Sequence, residues 1–282
     1  MSEERSVRLA AFGDLHLGFD PASWDLALAA VSDCHELRPD ALVFLGDVVD
    51  MCEKYWPLFA RLLAQAPDVP RVVSRGNADF DAGGDAAWDA HVGLPLRQTL
   101  DVGPTRLVVL SGTSGAHELD MGEGAGAWVA ERAAERRDAI AVVVSHAPVR
   151  NTTFWSCDNA EDGCLRDLLG PGNPPYHLYP PRSDELRIAL RDAPNVRLFL
   201  SGHVHNDHRM RCDHGLGSIA HVDGVTHAVT ANLGGWADIG VPRREYRVID
   251  VGATEIVLRV RDCLSHRWVP ELEVRLPGAR RP

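Results

Sequence analysis

The sequence predicts an α/β fold of two mixed β-sheets with flanking helices, and three observations carry that prediction. Over the first two-thirds of the 282 residues, short apolar runs bounded by turn residues alternate with helical patterns. That is the texture of strands buried on both faces in a mainly parallel arrangement. After His205 the pattern changes to closely spaced apolar runs joined by tight turns, which reads as antiparallel hairpins. Finally, five of the predicted strands end in a short polar block, at the carboxyl edge where open α/β sheets hold their ligands.

Taken in order, residues 8–13 form an apolar run ending at Asp14, 25–37 read as a helix, and 41–45 as a second strand ending at Gly46-Asp47. Residues 55–66 read as helix and 69–74 as a third strand, stopping before Gly76-Asn77. A hairpin is expected over 100–102 and 106–110, turning at Gly103-Pro104. A helix over 125–137 precedes a strand over 140–145 that ends at His146, and a helix over 184–191 precedes a strand over 196–201 that ends at Gly202-His203. Residues 219–222 and 225–230 flank the turn pair Asp223-Gly224, and 245–251 with 255–260 suggest another hairpin. The C-terminal third is therefore expected to be antiparallel and to complete a second sheet. No repeat, low-complexity tract or linker interrupts the pattern, so residues 1–282 are expected to form a single domain.

A hydrophobic content of 45% supports a full core, and no stretch approaches the ~20 apolar residues needed to cross a bilayer. The N-terminus, Met-Ser-Glu-Glu-Arg, is charged and leads straight into a predicted strand, unlike a secretory signal. The six cysteines are scattered without metal-type pairs, which favours free thiols in a reducing cytoplasm. A bridge between Cys157 and Cys164, close in sequence, is the alternative. The net charge is −11, with Lys54 the lone lysine. An acidic surface argues against nucleic acid, whose backbone demands a basic footprint. The densest basic run, residues 132–137, sits among glutamates at helical spacing and reads as a solvated face.

The polar blocks are Asp14-Leu15-His16, Gly46-Asp47-Val48-Val49-Asp50, Gly76-Asn77-Ala78-Asp79, Ser145-His146-Ala147-Pro148 and Gly202-His203-Val204-His205. Singly, each reads equally well as a cap or a turn. Together, in this order, they resemble the calcineurin-like metallophosphoesterase family over about residues 6–250. The resemblance implies that family's fold, two mixed sheets packed as a sandwich, with a dinuclear metal site at one sheet edge. It implies that Asp14, His16 and His205 hold one metal, that Asn77, His146 and His203 hold the other, and that Asp47 bridges them. The implied chemistry is hydrolysis of a phosphate ester by metal-bound hydroxide. Carboxylate and imidazole ligands suit manganese, iron, zinc, cobalt or nickel, and the resemblance favours Mn²⁺.

One position departs from the family. Most members carry a histidine where this chain has Ala78, and the following acid, here Asp79, would orient it. Such a group assists the leaving oxygen, a contribution of roughly 10²–10⁴-fold. His208, His117 and His177 are the candidate substitutes, the last two on predicted loops. A stable leaving group would make a substitute unnecessary, and a non-catalytic scaffold of the same fold is the remaining possibility.

Residues 151–182 form the one long segment without a clear element, and loops beyond ~12–15 residues are commonly functional. Its aromatic content, including Phe154, Trp155, Tyr176, His177 and Tyr179, together with Arg182, suggests a cover that contacts the organic part of a substrate. Arg75 and Arg150 are candidates for gripping phosphate oxygens, and 232–236 for lining the rim. The expected substrate is a small phosphorylated metabolite or nucleotide, a monoester in preference. A phosphodiester or nucleotide pyrophosphate is the alternative.

Overall fold

The computed structural model describes residues 6–114, 120–154, 156, 179–205, 208, 209, 211, 215–235 and 244–278. The chain begins with β1 (Val7–Phe12), α1 (Pro21–Leu37), β2 (Ala41–Phe44), α2 (Trp56–Leu63) and β3 (Arg71–Val73). Next come α3 (Asn77–Asp81), α4 (Gly84–His91), β4 (Arg97–Val102), β5 (Thr105–Leu110), α5 (Ala125–Ala134) and β6 (Ile140–Ser145). The remainder is α6 (Ser183–Asp192), β7 (Val196–Ser201), β8 (Ile219–Val222), β9 (Val225–Val229), β10 (Glu245–Val251), β11 (Glu255–Asp262), β12 (Arg267–Trp268) and β13 (Val274–Pro277).

Two sheets result. The first runs β12-β11-β10-β1-β2-β3, with β13 also on β11; the second runs β4-β5-β6-β7-β9-β8. In the first, β1, β2 and β3 are parallel while β10 joins β1 antiparallel. In the second, β5, β6, β7 and β9 are parallel and the outer strands β4 and β8 are antiparallel. A central apolar cluster draws on both sheets, including Leu9, Val43 and Ile249 from one and Leu107, Val142 and Leu198 from the other. The sheets are therefore packed face to face as a sandwich. The outer face of the first sheet packs with α1, α2 and α4, and that of the second with α5 and α6.

Several expectations change in detail. Helix α1 begins four residues earlier than periodicity suggests, because the Asp20 carboxylate accepts the Ser23 N–H at 2.7 Å and Pro21 fits the first helical turn. Helices α3 and α4 were not expected, since Gly83-Gly84 reads as a break and glycine is a poor helix former. The C-terminal third is mostly antiparallel but does not complete one sheet. β8 and β9 extend the second sheet, with β9 parallel to β7, whereas β10–β13 extend the first beside β1. An ion pair from Arg8 Nε to Asp250 Oδ1 at 2.7 Å crosses that β1–β10 seam, a pairing between residues far apart in sequence. Among the described residues no helix is long and apolar enough to cross a membrane, and Cys34, Cys52 and Cys263 are free thiols.

Candidate metal centre

The turns after β1, β2 and β3 of one sheet and after β6 and β7 of the other lie at the same edge of the sandwich. Each delivers one polar block. The ligand atoms of Asp14, His16, Asp47 and His205 all lie within 4.8 Å of one another, as do those of Asp47, His146 and His203. Asp47 is common to both groups. Its Oδ2 is 3.5 Å from His16 Nε2 and 3.4 Å from His146 Nε2, while its Oδ1 accepts the Ala78 N–H at 2.8 Å. One carboxylate oxygen is thereby pinned by the backbone and the other faces both groups.

The backbone is bent to achieve this. Asp14, His16, Asp47, His203 and His205 all have φ between 37° and 71°, a region that costs a non-glycine residue of order 1–3 kcal/mol. Hydrogen bonds hold these turns in place: His16 N–H to Asp47 O at 2.8 Å, Gly234 N–H to Asp14 O at 2.8 Å, and His203 N–H to the Asp14 carboxylate at 2.8 Å. Glycine is required at two of the motif positions. A Cβ on Gly46, whose φ is +92°, would lie 2.6 Å from His146 Nδ1, and one on Gly76 would collide with the Asp47 carboxylate.

The tautomers follow from the outer contacts. His146 Nδ1 is 2.8 Å from Leu45 O, which can only accept, so the neutral ring carries its proton on Nδ1. Its Nε2 lone pair then faces Asn77 Oδ1 at 3.0 Å and His203 Nδ1 at 3.1 Å. His16 likewise turns Nδ1 to Asp50 Oδ1 at 3.2 Å and its Nε2 toward His205 Nε2 at 3.0 Å. Lone pairs opposed at such contacts repel unless a cation or a proton lies between them. Burial works against charging His146, but Asp47 and Asp14 outweigh it and push its pKa up to about 9. His16 is also raised against its burial, by Asp50, Asp47 and Asp14. The converse holds for the carboxylates. Burial alone would raise Asp14 and Asp47, yet the surrounding imidazoles hold both below the usual carboxylate range. Two carboxylates, four imidazoles and one amide oxygen form a donor set suited to two divalent cations.

All seven residues expected as metal ligands thus meet at this edge. The other expected site residues divide. Among the described residues Asp79 orients no imidazole: its two carboxylate oxygens accept N–H groups from Val48, Val49 and Gly76 at 2.9, 3.1 and 2.9 Å. It ties the Asp47 turn to the Asn77 turn, and burial and then the nearby Asp47 push its pKa up to about 7. His208 is engaged within the fold. Its buried ring accepts the Ala231 N–H at Nε2 (3.1 Å), so its proton sits on Nδ1 and points to Glu245 Oε2 at 3.4 Å. Arg75 is turned inward. Its guanidinium is buried over the rings of Phe80 and Trp88, donating to Gly112 O at 2.8 Å and pairing with Asp85 at 2.7 Å. Arg150 is half-buried, reaching Asp184 at 3.3 Å and lying over the Tyr179 ring, and Arg182 is exposed just before α6. His117, His177, Trp155 and Tyr176 lie outside the described residues, as does Trp236 at the end of the expected rim.

Asp50 was missed. The sequence signal was present as the second acid of Gly46-Asp47-Val48-Val49-Asp50, but only the bridge of Leu17 with Val49 brings it back to His16. A further acidic group, Asp33, Glu36 and His266, is a salt-bridge network, since Arg261 Nη2 occupies Asp33 Oδ1 at 2.7 Å.

This geometry, two donor groups sharing one carboxylate at the carboxyl edge of a two-sheet sandwich, defines a class: metal-dependent phosphoric ester hydrolases with a dinuclear centre. The family model of the calcineurin-like phosphoesterases matches residues 7–207, and the chain belongs to that family. No curated protein matches it by sequence. Among solved structures, a dimetal phosphatase from Danio rerio is similar over 97% of this chain and 99% of its own, at 12% identity and a TM-score of 0.67. A purple acid phosphatase from yellow lupin seeds is similar over 98% of this chain and 54% of its own, at 15% identity and a TM-score of 0.62. GAP50, the anchor in the inner membrane complex of Plasmodium, is similar over 99% and 90%, at 13% identity and a TM-score of 0.60. At these identities the likeness concerns the fold.

Proposed function

We propose that this protein hydrolyses a phosphate monoester of a small soluble metabolite or nucleotide with two divalent cations, manganese the preferred one, in the cytoplasm. The observation that carries this reading is the convergence of seven donor side chains on one edge, five of them on strained backbone. A scaffold without metals has no use for that strain. In our reading Asp14, His16 and His205 hold one cation, and Asn77, His146 and His203 hold the other. Asp47 would serve both. When bound, such a pair neutralises the phosphate oxygens and lowers the pKa of coordinated water to about 7. The chain contributes preorganisation: Leu45 O and Asp50 orient His146 and His16, and the Ala78 N–H fixes Asp47.

The substrate's organic part would meet the 151–182 segment, with Trp155, Tyr176 and Arg182 as contacts and Arg150 on the phosphate side. The net charge of −11 argues against nucleic acid as a partner. A second reading, nucleotide pyrophosphohydrolase or phosphodiesterase, draws support from Ala78 and the locked His208 tautomer. A substrate whose leaving group departs as a stable anion needs no proton from the protein.

The test is a panel of phosphorylated metabolites assayed with Mn²⁺, beside aryl phosphates spanning several leaving-group pKa units. Monoesters are expected to be cleaved fastest, and activity confined to diesters or pyrophosphates selects the second reading. Rates that fall steeply with leaving-group pKa indicate departure without a proton. A shallow slope that steepens in His117→Ala or His177→Ala identifies the donor. Protein that purifies without metal and takes up none removes the enzymatic reading altogether.

A further inference from the structure

A metal-bound histidine ordinarily donates its second ring N–H to a carboxylate or carbonyl, which fixes the ring. His16 and His146 have such partners in Asp50 and Leu45 O. His205 does not. It meets His16 at 3.0 Å and Asp14 at 3.4 Å, both through Nε2, and among the described residues no acceptor meets its Nδ1. Its ring nevertheless stands edge-on to that of His16, with centroids 4.8 Å apart and planes at 76°. Something other than a hydrogen bond holds the pair.

Residues 231–235 supply that support. The segment is buried throughout and tied at each residue. Ala231 donates its N–H to His208 Nε2 at 3.1 Å, Leu233 to Gly13 O at 3.1 Å, Gly234 to Asp14 O at 2.8 Å and Gly235 to Ser23 Oγ at 3.4 Å. Asn232 is bridged to Gly13, and its Nδ2 donates to Gly234 O at 2.6 Å. At the end of this run the Gly235 backbone, at φ +74°, lies against both imidazoles. A Cβ there would be 2.6 Å from His16 Cδ2 and 3.0 Å from His205 Cε1. His16 has little room to swing aside, being 3% exposed and held at Nδ1 by Asp50.

We propose that residues 231–235 form a strap that aligns His16 and His205 for the metal they share with Asp14, the first metal, with Gly235 as the positioning residue. The proposal rests on the assignment of those three side chains to one metal. The strap does for His205 by contact what Leu45 O does for His146 by hydrogen bonding. It also accounts for the locked ring of His208, which anchors the strap at Ala231. His146, a ligand of the second metal, is oriented by Leu45 O, so disturbance of the strap should fall on the first metal.

Gly235→Ala is the perturbation, and competition with a chelating dye for Mn²⁺ is the readout. The unmodified chain is expected to bind two Mn²⁺, and Gly235→Ala to hold the first about 10–100-fold more weakly. Two backgrounds identify the metal affected. In His203→Ala, where Asp14, His16 and His205 remain, adding Gly235→Ala should bring the same loss; in His205→Ala it should bring none. An equal effect in both backgrounds overturns the proposal. Gly224→Ala controls for backbone strain, since its φ is +82° and a Cβ there meets nothing within 4 Å. It should lower the melting midpoint in chelator by roughly 2–4 °C and keep both metals; loss of the first metal there too overturns the proposal. Should Gly235→Ala fail to fold, Asn232→Ala, which removes the tie to Gly234 O, is expected to weaken the first metal by about tenfold, and unchanged affinity is the overturning result. An unmodified chain that takes up no metal overturns the metal assignment and the proposal together. Two metals held equally by the unmodified chain and by Gly235→Ala overturn the proposal alone.

Discussion

Asp79 offers the sharpest separation between a catalytic and an architectural role. Its carboxylate is fully buried and accepts three backbone N–H groups, two at Oδ1 and one at Oδ2. Asp79→Ala leaves all three donors orphaned. At about 1–3 kcal/mol for each unsatisfied buried donor, the loss is roughly 2–6 kcal/mol once water reaches one of them, a large share of a native margin of about 5–15 kcal/mol. Asp79→Asn is gentler. The amide oxygen keeps the Val48 and Val49 donors, while its NH₂ faces the Gly76 N–H, so one bond is lost and two donors are opposed, at a cost of about 1–3 kcal/mol. Because Gly76 leads into Asn77, the second metal should suffer more than the first. The assay is urea denaturation in chelator at pH 4 and pH 8, on either side of the Asp79 pKa of about 7, paired with metal counting on reloaded protein. The folded carboxyl ionises only above that value while the unfolded one ionises near 3.9, so the unmodified chain loses stability between the two pH values, and Asp79→Asn, which cannot ionise, should escape that loss. We expect Asp79→Asn to hold tightly only the metal of Asp14, His16 and His205. An equal pH-dependent loss in Asp79→Asn, with both metals retained, would refute the architectural role.

Three further outcomes are expected. Asp47→Ala should lose both metals and all hydrolysis, whereas His35→Ala, on an exposed ring that meets Gln65 O, should change neither; two tight metals in Asp47→Ala would contradict the shared role of its carboxylate. Asp50→Ala frees His16 Nδ1 and should weaken metal affinity by about 10–100-fold, read by competition with a chelating dye, and unchanged affinity would show that His16 needs no orienting partner. His227 is held neutral, with burial and then Arg187 pushing its pKa down to about 3. The unfolded chain protonates at about 6.5 and the folded chain does not, so stability is intact above that pH and is lost as pH falls toward 3. At pH 5 the penalty is about 2 kcal/mol, and His227→Leu should flatten this acid limb in denaturation at graded pH.

Much of the centre could be read from one dimension because its residues follow a local rule. An apolar run long enough for a strand, then a turn with glycine and a polar residue, places that residue at a strand's carboxyl end. Asp14, Asp47, Asn77 and His203 follow it, and His146 does so without the glycine, so convergence required that the strands lie parallel within each sheet and that the two carboxyl edges fall at the same end of the sandwich. The strand runs were equally legible, with β6 and β7 ending where their apolar stretches end.

Where side chains are shared between distant segments, local pattern carried no such information. Arg75 sits beside the Gly-Asn motif, yet its guanidinium turns to Asp85 and Gly112 because Phe80 and Trp88 provide a cleft for it. His208 stands three residues past a metal-type histidine, yet Ala231 and Glu245 lock its tautomer. The β10 strand pairs with β1 across more than two hundred residues, and only that seam places Arg247 opposite Ala11 with its charge enclosed. Strand ends are selected by the order of residues along the chain, and sequence records that order. Partners of long charged side chains are selected by packing between segments, and those contacts exist only once the two sheets have closed on each other.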